Sequence, residues 1–147
     1  MKKPAGFTLI ELMITIAILA ILIGIGVPSY QHTVQQSRID DATSLINSAF
    51  SYAKNTAMAH NRPLYMTVSN NTLTLTTGMT ATATIINKTT VTTDTSAILS
   101  FIAATPMTFR ANGTVEIGNT IQYCVGDAGV KVVVGINGDP VTTSVSC

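Results

Sequence analysis

The sequence has few of the residues from which metal sites, active sites and nucleic-acid interfaces are built. Two cysteines and two histidines in 147 residues are almost nothing from which to build a zinc site. Charged residues make up 10% of the chain and the formal net charge is +1, which gives no basic footprint for nucleic acid. The seven carboxylates are scattered, and the sequence shows no Gly-rich phosphate loop or nucleophile elbow. We therefore predict a protein that is not an enzyme and binds no cofactor or metal.

The apolar content of the chain is high and is concentrated at one end. Apolar residues make up 46% of the sequence and the mean hydropathy is +0.41, values that are unusual for a soluble domain. The excess lies in FTLIELMITIAILAILIGIGV, residues 7–27. As a helix, this segment would be about 31 Å long, close to the thickness of a bilayer's hydrocarbon core. We predict a membrane-spanning helix over residues 7–27.

The residues that flank the apolar segment predict its orientation. Lys2 and Lys3 precede it, and the positive-inside rule keeps that end in the cytoplasm and places the rest of the chain across the membrane. A secretory signal peptide would have a shorter apolar core and a small-x-small cleavage site, whereas this run continues into VPSYQ. A plain membrane anchor is the other alternative.

One carboxylate argues against a plain anchor. Glu11 lies within the apolar run, where a charge costs about 2.5–3.5 kcal/mol at the bilayer centre and less near an interface. If the chain were cut between Gly6 and Phe7, the new ammonium group of Phe7 would lie one helical turn from Glu11 on the same face. A carboxylate in the first turn also complements the helix dipole. The charge of Glu11 is accounted for if the chain is cut between Gly6 and Phe7.

The segment GFTLIELMITIAILAILIGIGVPSYQ resembles the N-terminal signature of type IV prepilins and type II secretion pseudopilins. The resemblance implies that a membrane aspartyl peptidase cuts after Gly6, that Phe7 is then N-methylated, and that Glu11 helps to register each subunit against its neighbour. It also implies four kinds of partner: the prepilin peptidase, other pilin subunits, the inner membrane, and a pilus or secretion assembly machinery. The expected location is the inner membrane, as a single-pass protein with a cytoplasmic N-terminus, followed by a periplasmic or extracellular filament.

Gly24, Gly26 and Pro28 predict a weak point in the helix. Pro28 has no N–H to donate to the carbonyl of Gly24, so the helix should bend or loosen there. Similar filaments often lose helical order in this stretch when they assemble. The other interpretation is a helix that simply leaves the membrane at a proline, and both interpretations remain open at this point.

Residues 28–62 form the second half of the predicted helix, and their pattern is amphipathic. Apolar residues recur there at three- and four-residue spacing. Pro63 is a natural end for such a helix. The stripe consists of Ile39, Ala42, Ile46, Ala49, Ala53 and Ala57, and Leu45 and Phe50 widen it. We predict that this half packs against a globular head.

The head, residues 63–147, is predicted to be mainly antiparallel β-structure, which makes the fold class α+β, a long N-terminal helix packed on a β-sheet head. LYMTVS and TLTLTT alternate around Asn70–Asn71, the pattern of a hairpin. Further short strands are expected around Met107–Phe109, Val115–Ile117, Ile121–Val125 and Val130–Val134, with a last strand ending at Cys147. The predicted organisation is a leader over residues 1–6, the membrane helix 7–27, the amphipathic helix 28–62 and the head.

Cys124 and Cys147 are the two cysteines of the head, and we predict a disulfide between them. Closing that loop is worth about 3 kcal/mol on loop-entropy grounds, and the compartment beyond the membrane is oxidising. Two free buried thiols are the alternative. The resemblance to pilins points to the same pairing, since a C-terminal disulfide loop is common in them.

Two further stretches are similar to the GspH/FimT family of minor pilins and H-type pseudopilins. They are RIDDATSLINSAFSYAKNTAMAHNRPLYMTV and MTFRANGTVEIGNTIQYC, together with the final cysteine. We therefore predict a minor pilin that initiates or caps a type IV pilus. The alternatives are the H-type pseudopilin of type II secretion, a major pilin, and a DNA-binding minor pilin of DNA uptake. The resemblance places a Gly-Arg-x-Arg element where this chain has Gly-Asp-Pro-Val at residues 138–141, so DNA is not an expected partner.

Overall fold

The computed structural model describes residues 7–80, 82–102, 106–116 and 120–147, with only the backbone described for Pro28 and Ser29. It contains one helix and eight strands in these ranges. The chain divides into two compact units, residues 1–36 and residues 37–147. Helix α1, Leu9–Ala59, begins in the first unit and ends in the second. The α+β prediction is confirmed.

Helix α1 ends at a defined cap rather than by fraying. The N–H of Arg62 donates to the carbonyl of Ala57 at 3.2 Å, and the N–H of Asn61 donates to the carbonyl of Met58 at 3.2 Å. This pair of bonds, with Asn61 in the left-handed region at φ 48°, is a Schellman motif. The regular helix therefore stops at Ala59, slightly before the Arg62 boundary expected from the sequence.

The eight strands form two four-stranded antiparallel sheets. The first sheet has the order β3-β2-β1-β5 and the second has the order β4-β6-β7-β8. The strands are β1 Leu64–Ser69, β2 Thr72–Thr76, β3 Ile85–Thr90, β4 Ala97–Phe101, β5 Met107–Phe109, β6 Thr120–Val125, β7 Ala128–Val134 and β8 Pro140–Ser146. Each sheet lies in the unit of residues 37–147, so the head is built from both.

The predicted hairpin and most of the predicted strands are confirmed. β1 pairs with β2 through Asn70–Asn71, and both asparagines have positive φ, 48° and 57°, as a type I′ turn requires. Gly113, at φ 80°, forms the turn after β5. Val115 makes only an isolated bridge to Phe109, and Ile117 lies outside the described residues.

The core of the head lies between the second half of α1 and the inner faces of the sheets. Of the predicted stripe of α1, the six residues from Ile39 to Ala57 are buried and Phe50 is fully buried, whereas Leu45 is 40% exposed and does not widen the buried face. The Phe50 ring lies 6.1 Å from the Phe109 ring of β5, centroid to centroid. The sheets contribute Leu64, Met66, Leu73, Leu75, Leu99, Met107, Phe109, Ile121, Tyr123, Val125, Val130, Val132 and Val134. The small alanines of the stripe let the helix approach the strands closely.

The edge strand β4 of the second sheet was not predicted from the sequence. The side chain of Asn71 forms hydrogen bonds with the backbone at its outer edge. The side-chain amide of Asn71 accepts a bond from the N–H of Leu99 at 2.9 Å and donates to the carbonyl of Ala97 at 2.8 Å. These are the two bonds that a neighbouring strand would make with β4. Asn71 belongs to the β1–β2 turn, so it joins the first sheet to the second.

The Asn71→Gly variant is expected to lose about 2–3 kcal/mol of unfolding free energy, because the buried polar groups of Leu99 and Ala97 lose their partners. Glycine suits the positive φ of this position, so the loss would report the side-chain bonds alone. Urea unfolding of the purified full chain in detergent would measure it. The matched control is Asn70→Gly, at an exposed turn position of similar φ, which should change the unfolding free energy little. Equal stability of the two variants would contradict the role of Asn71.

Candidate assembly site at the start of the helix

Helix α1 begins with a capping box formed by Thr8 and Glu11. The backbone N–H of Thr8 donates to Glu11 Oε2 at 3.1 Å, and the Thr8 hydroxyl donates to the same oxygen at 3.0 Å. In return, the N–H of Glu11 donates to Thr8 Oγ1 at 3.3 Å. The N-terminal N–H groups of a helix have no intrahelical partners, and this reciprocal pair satisfies two of them. The cap therefore fixes the position of the Glu11 carboxylate.

The side chains that follow the cap are apolar and exposed. Phe7 is 85% exposed, and large apolar side chains from Leu9 to Val27 are all at least half exposed. By its length and composition, α1 could cross a membrane. Burying so much apolar surface away from water is strongly favourable, at about 25 cal/mol per Å². A bilayer or the apolar helices of other subunits can provide that burial.

The predicted disulfide is confirmed. Cys124 and Cys147 are bonded, with their Cα atoms 6.0 Å apart. Cys124 lies in β6 and Cys147 follows β8, so the bond spans the intervening strand β7. The side-chain amide of Gln122 contacts both sulfurs, at 3.3 Å and 3.8 Å. The disulfide therefore fastens the last strand of the second sheet.

The N-terminal segment of the chain is similar to that of several known bacterial proteins. Residues 1–27 match the family described as "Prokaryotic N-terminal methylation motif". Over 41 residues the chain is 51% identical to the prepilin peptidase-dependent protein D of Escherichia coli. The aligned residues make up 28% of this chain and 28% of the relative. Over 45 residues it is 47% identical to a fimbrial protein of Moraxella nonliquefaciens, covering 31% of this chain and 29% of the relative. These matches therefore span less than a third of either relative.

The fold extends the similarity beyond the N-terminal segment. The crystal structure of the type IV minor pilin FimU of Pseudomonas aeruginosa superimposes with a TM-score of 0.58 and 20% identity. The match covers 77% of this chain and 90% of FimU. The chain therefore shares its fold with a type IV minor pilin. The helix and two sheets of this pilin-like chain are thus a pilin fold.

The predicted processing residues lie around the cap of this pilin-like protein. Phe7 stands immediately before Thr8, and Gly6 lies outside the described residues. Glu11 was predicted from the sequence, whereas its partner Thr8 was not. The signal was available, because Ser or Thr three residues before Glu at the head of an apolar run is the capping-box pattern. The processing and assembly roles of Gly6, Phe7 and Glu11 remain predictions.

Helix α1 of the pilin-like chain runs without a break through Gly24, Gly26 and Pro28. A side chain at Gly24 or Gly26 would meet nothing within 4 Å, so neither glycine is needed for close packing within this subunit. The predicted distortion at these residues thus remains a prediction.

The head of the pilin-like protein carries a polar cleft between α1 and the segment before β4. Arg38 forms a salt bridge of 2.7 Å with Asp94, and Tyr123 lines the same cleft. Hydrogen bonds from the hydroxyl and N–H of Ser96 lower the pKa of Asp94, and the charge of Arg38 lowers it further. Burial raises the pKa of Tyr123. The described residues contain no group of three potential metal ligands.

The cap itself gives a test of the role of Thr8. We expect Thr8→Val to weaken the start of the helix by about 1 kcal/mol, since it removes the hydroxyl that caps the Glu11 N–H. Thr8→Ser keeps the hydroxyl and should behave like the original chain. Hydrogen exchange of the Glu11 amide in detergent micelles would measure the difference. Equal protection in the two variants would show that the cap is not maintained in an apolar environment.

Proposed function

We propose that the chain is a minor type IV pilin. The membrane helix partitions into the inner membrane, the leader is removed after Gly6, and Phe7 is N-methylated. An assembly machinery then extracts the subunit into a filament, where it initiates or caps the pilus. The observation that carries the proposal is the Glu11 carboxylate at the head of an exposed apolar helix, joined to a head whose fold is similar to that of FimU.

The geometry of the cap supports a role for Glu11 in assembly. Both Thr8 bonds end on Oε2, so the other carboxylate oxygen can face a group outside the helix. In a filament, the ammonium group of a neighbouring Phe7 would be such a group. An ion pair between subunits would offset the cost of holding a carboxylate among apolar helices. Glu11 would thereby set the axial register of the subunit.

Catalysis and DNA binding are not part of the proposal. The fold is that of structural pilins, and three of the six lysines and arginines in the described residues, Arg38, Lys54 and Arg110, each pair with a carboxylate at 2.7–3.0 Å. Cations held by carboxylates attract phosphates weakly. We expect the purified chain to show no salt-sensitive affinity for duplex DNA. A clear salt-dependent affinity would favour the DNA-uptake alternative.

The abundance of the chain in filaments tests the proposal. Filaments sheared from the native cells would be analysed by quantitative mass spectrometry, together with the membrane fraction. Trace amounts beside a more abundant pilin are the expected result. Dominance of this chain would make it a major pilin. Its absence from filaments, with the protein present in membranes, would favour the secretion pseudopilin.

A further inference from the structure

Strand β8 presents an open edge to solvent. The N–H of Cys147 donates to the carbonyl of Asp127, and the N–H of Gly135 donates to the carbonyl of Asp139. In the register of the two strands Lys131 pairs with Thr143, so these bonds place the odd-numbered residues of β8 in hydrogen-bonded pairs with β7. In an antiparallel ladder the intervening residues turn their backbone groups away from the partner. Thr142, Ser144 and Ser146 therefore direct their N–H and C=O groups outward.

In the described residues, the other three sheet edges, those of β3, β4 and β5, have features that disfavour pairing with a further strand. β3 carries the exposed Lys88 and a register shift opposite Leu75–Thr76, both of which discourage a further strand. The Asn71 amide closes the edge of β4. Val115 bridges to Phe109 at the edge of β5, which is three residues long.

β8 has few features that would prevent it from pairing with another strand. It is seven residues long, has no charged side chain, and has a proline only at its first position. Its side chains from Val141 to Ser144 are exposed. Val141, Thr143 and Val145 share one face of the sheet with Val133, while Thr142, Ser144 and Ser146 form a polar row on the other. A strand that docks here would form backbone hydrogen bonds with β8. The side chains on the two faces of β8 would determine which sequences fit.

We propose that the outer edge of β8 accepts an extended strand from a neighbouring, unlike pilin subunit. The partner strand would place β-branched apolar residues beside Val141 and Val145, and Ser or Thr beside Ser144. This inference rests on the proposed function, since it takes its partner from the filament.

A second copy of this chain is a poorer occupant. Within the described residues, its only open edge is its own β8, and pairing two β8 strands gives an isologous contact that closes on itself. A filament grows through heterologous contacts, so the occupant must supply a different strand. An unlike subunit at the filament tip meets that requirement.

The Ser144→Pro variant tests the edge with little disturbance of the fold. The N–H of Ser144 points outward, so proline removes a donor for the incoming strand and no bond to β7. We expect roughly five- to tenfold less incorporation into sheared filaments, the effect of losing about one intermolecular backbone bond together with steric obstruction. The melting temperature should be unchanged.

Two controls separate edge binding from folding. Ser144→Ala keeps the N–H and should be incorporated at the original level. Thr143→Pro removes a bond to β7 and should lower the melting temperature, which shows that the assay detects a damaged sheet. Normal incorporation of Ser144→Pro would overturn the proposal.

Crosslinking identifies the occupant. A benzophenone amino acid would replace Thr142, Ser144 and Ser146 one at a time in filament-forming cells, and crosslinked peptides would be sequenced. The expected result is one segment of another pilin, with crosslinked sites that advance by two residues between positions. Crosslinks to a second copy of β8, to a helix, or to no pilin would overturn the proposal. If the original chain is itself absent from filaments, the proposed function fails instead, and the named partner fails with it.

Discussion

The Glu11→Gln variant is expected to retain its leader cleavage and to be incorporated into filaments about a hundredfold less than the original chain. Removing one partner of a buried ion pair costs about 3–5 kcal/mol, which corresponds to at least two orders of magnitude in an equilibrium. Glutamine is nearly isosteric and can still bond back to the Thr8 N–H, as in a capping box with Gln at that position. The variant therefore removes the charge and keeps the cap.

The Glu11→Asp variant is the matched control, because it makes the opposite change. It keeps the carboxylate but shortens the side chain, so the bond to the Thr8 N–H is weakened or lost. If the charge matters, Asp should be incorporated better than Gln. Intact-mass measurement of the membrane fraction would show whether each variant begins at Phe7. Normal incorporation of Glu11→Gln would contradict the assembly role of this carboxylate.

The Gly129→Ala variant is expected to lose about 3 kcal/mol of unfolding free energy and to expose free thiols. A Cβ at this position would lie 2.5 Å from the Tyr123 carbonyl oxygen, and closer still to Cys147 Sγ. Because real Cβ atoms do not approach other atoms so closely, the backbone of β6 at Tyr123 must shift, and the disulfide must move or fail to form. Loss of a loop closure of this size accounts for about 3 kcal/mol.

Gly135→Ala provides the control for Gly129. It lies just after β7, and its nearest neighbour to a new Cβ is the Asp139 carbonyl oxygen at 3.8 Å, an ordinary contact. Urea unfolding and thiol labelling of the purified full chain would be compared for the two variants. The clash with the Tyr123 carbonyl remains in a Cys124→Ser/Cys147→Ser chain, so adding Gly129→Ala there should still lower the unfolding free energy, but by less than in the original chain. Full stability of Gly129→Ala with an intact disulfide would contradict the argument.

The local patterns of the chain were readable from its sequence. The apolar run with Glu11, the alanine-rich stripe of α1 and the Asn70–Asn71 turn each depend on neighbouring residues, and the structure contains the helix, the buried stripe and the hairpin. The Thr8 cap was equally local and was overlooked. The end of α1 at Ala59 follows from Asn61, a residue that tolerates positive φ, more than from Pro63.

The features that depend on distant residues could not be predicted in the same way. β4 is nearly apolar throughout. Because Ile98 on its exposed face is apolar like the buried Ala97 and Leu99, the polar–apolar alternation that predicts a strand is missing. Its position depends on pairing with β6 and on the Asn71 amide, which lies 28 residues from Leu99 in sequence. The contact between Gly129 and the disulfide likewise needs three strands to be assembled first.

The disulfide also determines how the head responds to mechanical tension. Cys124 and Cys147 are 23 residues apart in sequence. Such a segment, pulled straight, would add roughly 75–85 Å to the length of the chain. While the bond holds, force transmitted along the backbone passes from β6 directly to Cys147, and β7 and β8 carry none of it. Tension applied across the chain at Cys147 would therefore leave the last hairpin folded, even if the strands before Cys124 yielded.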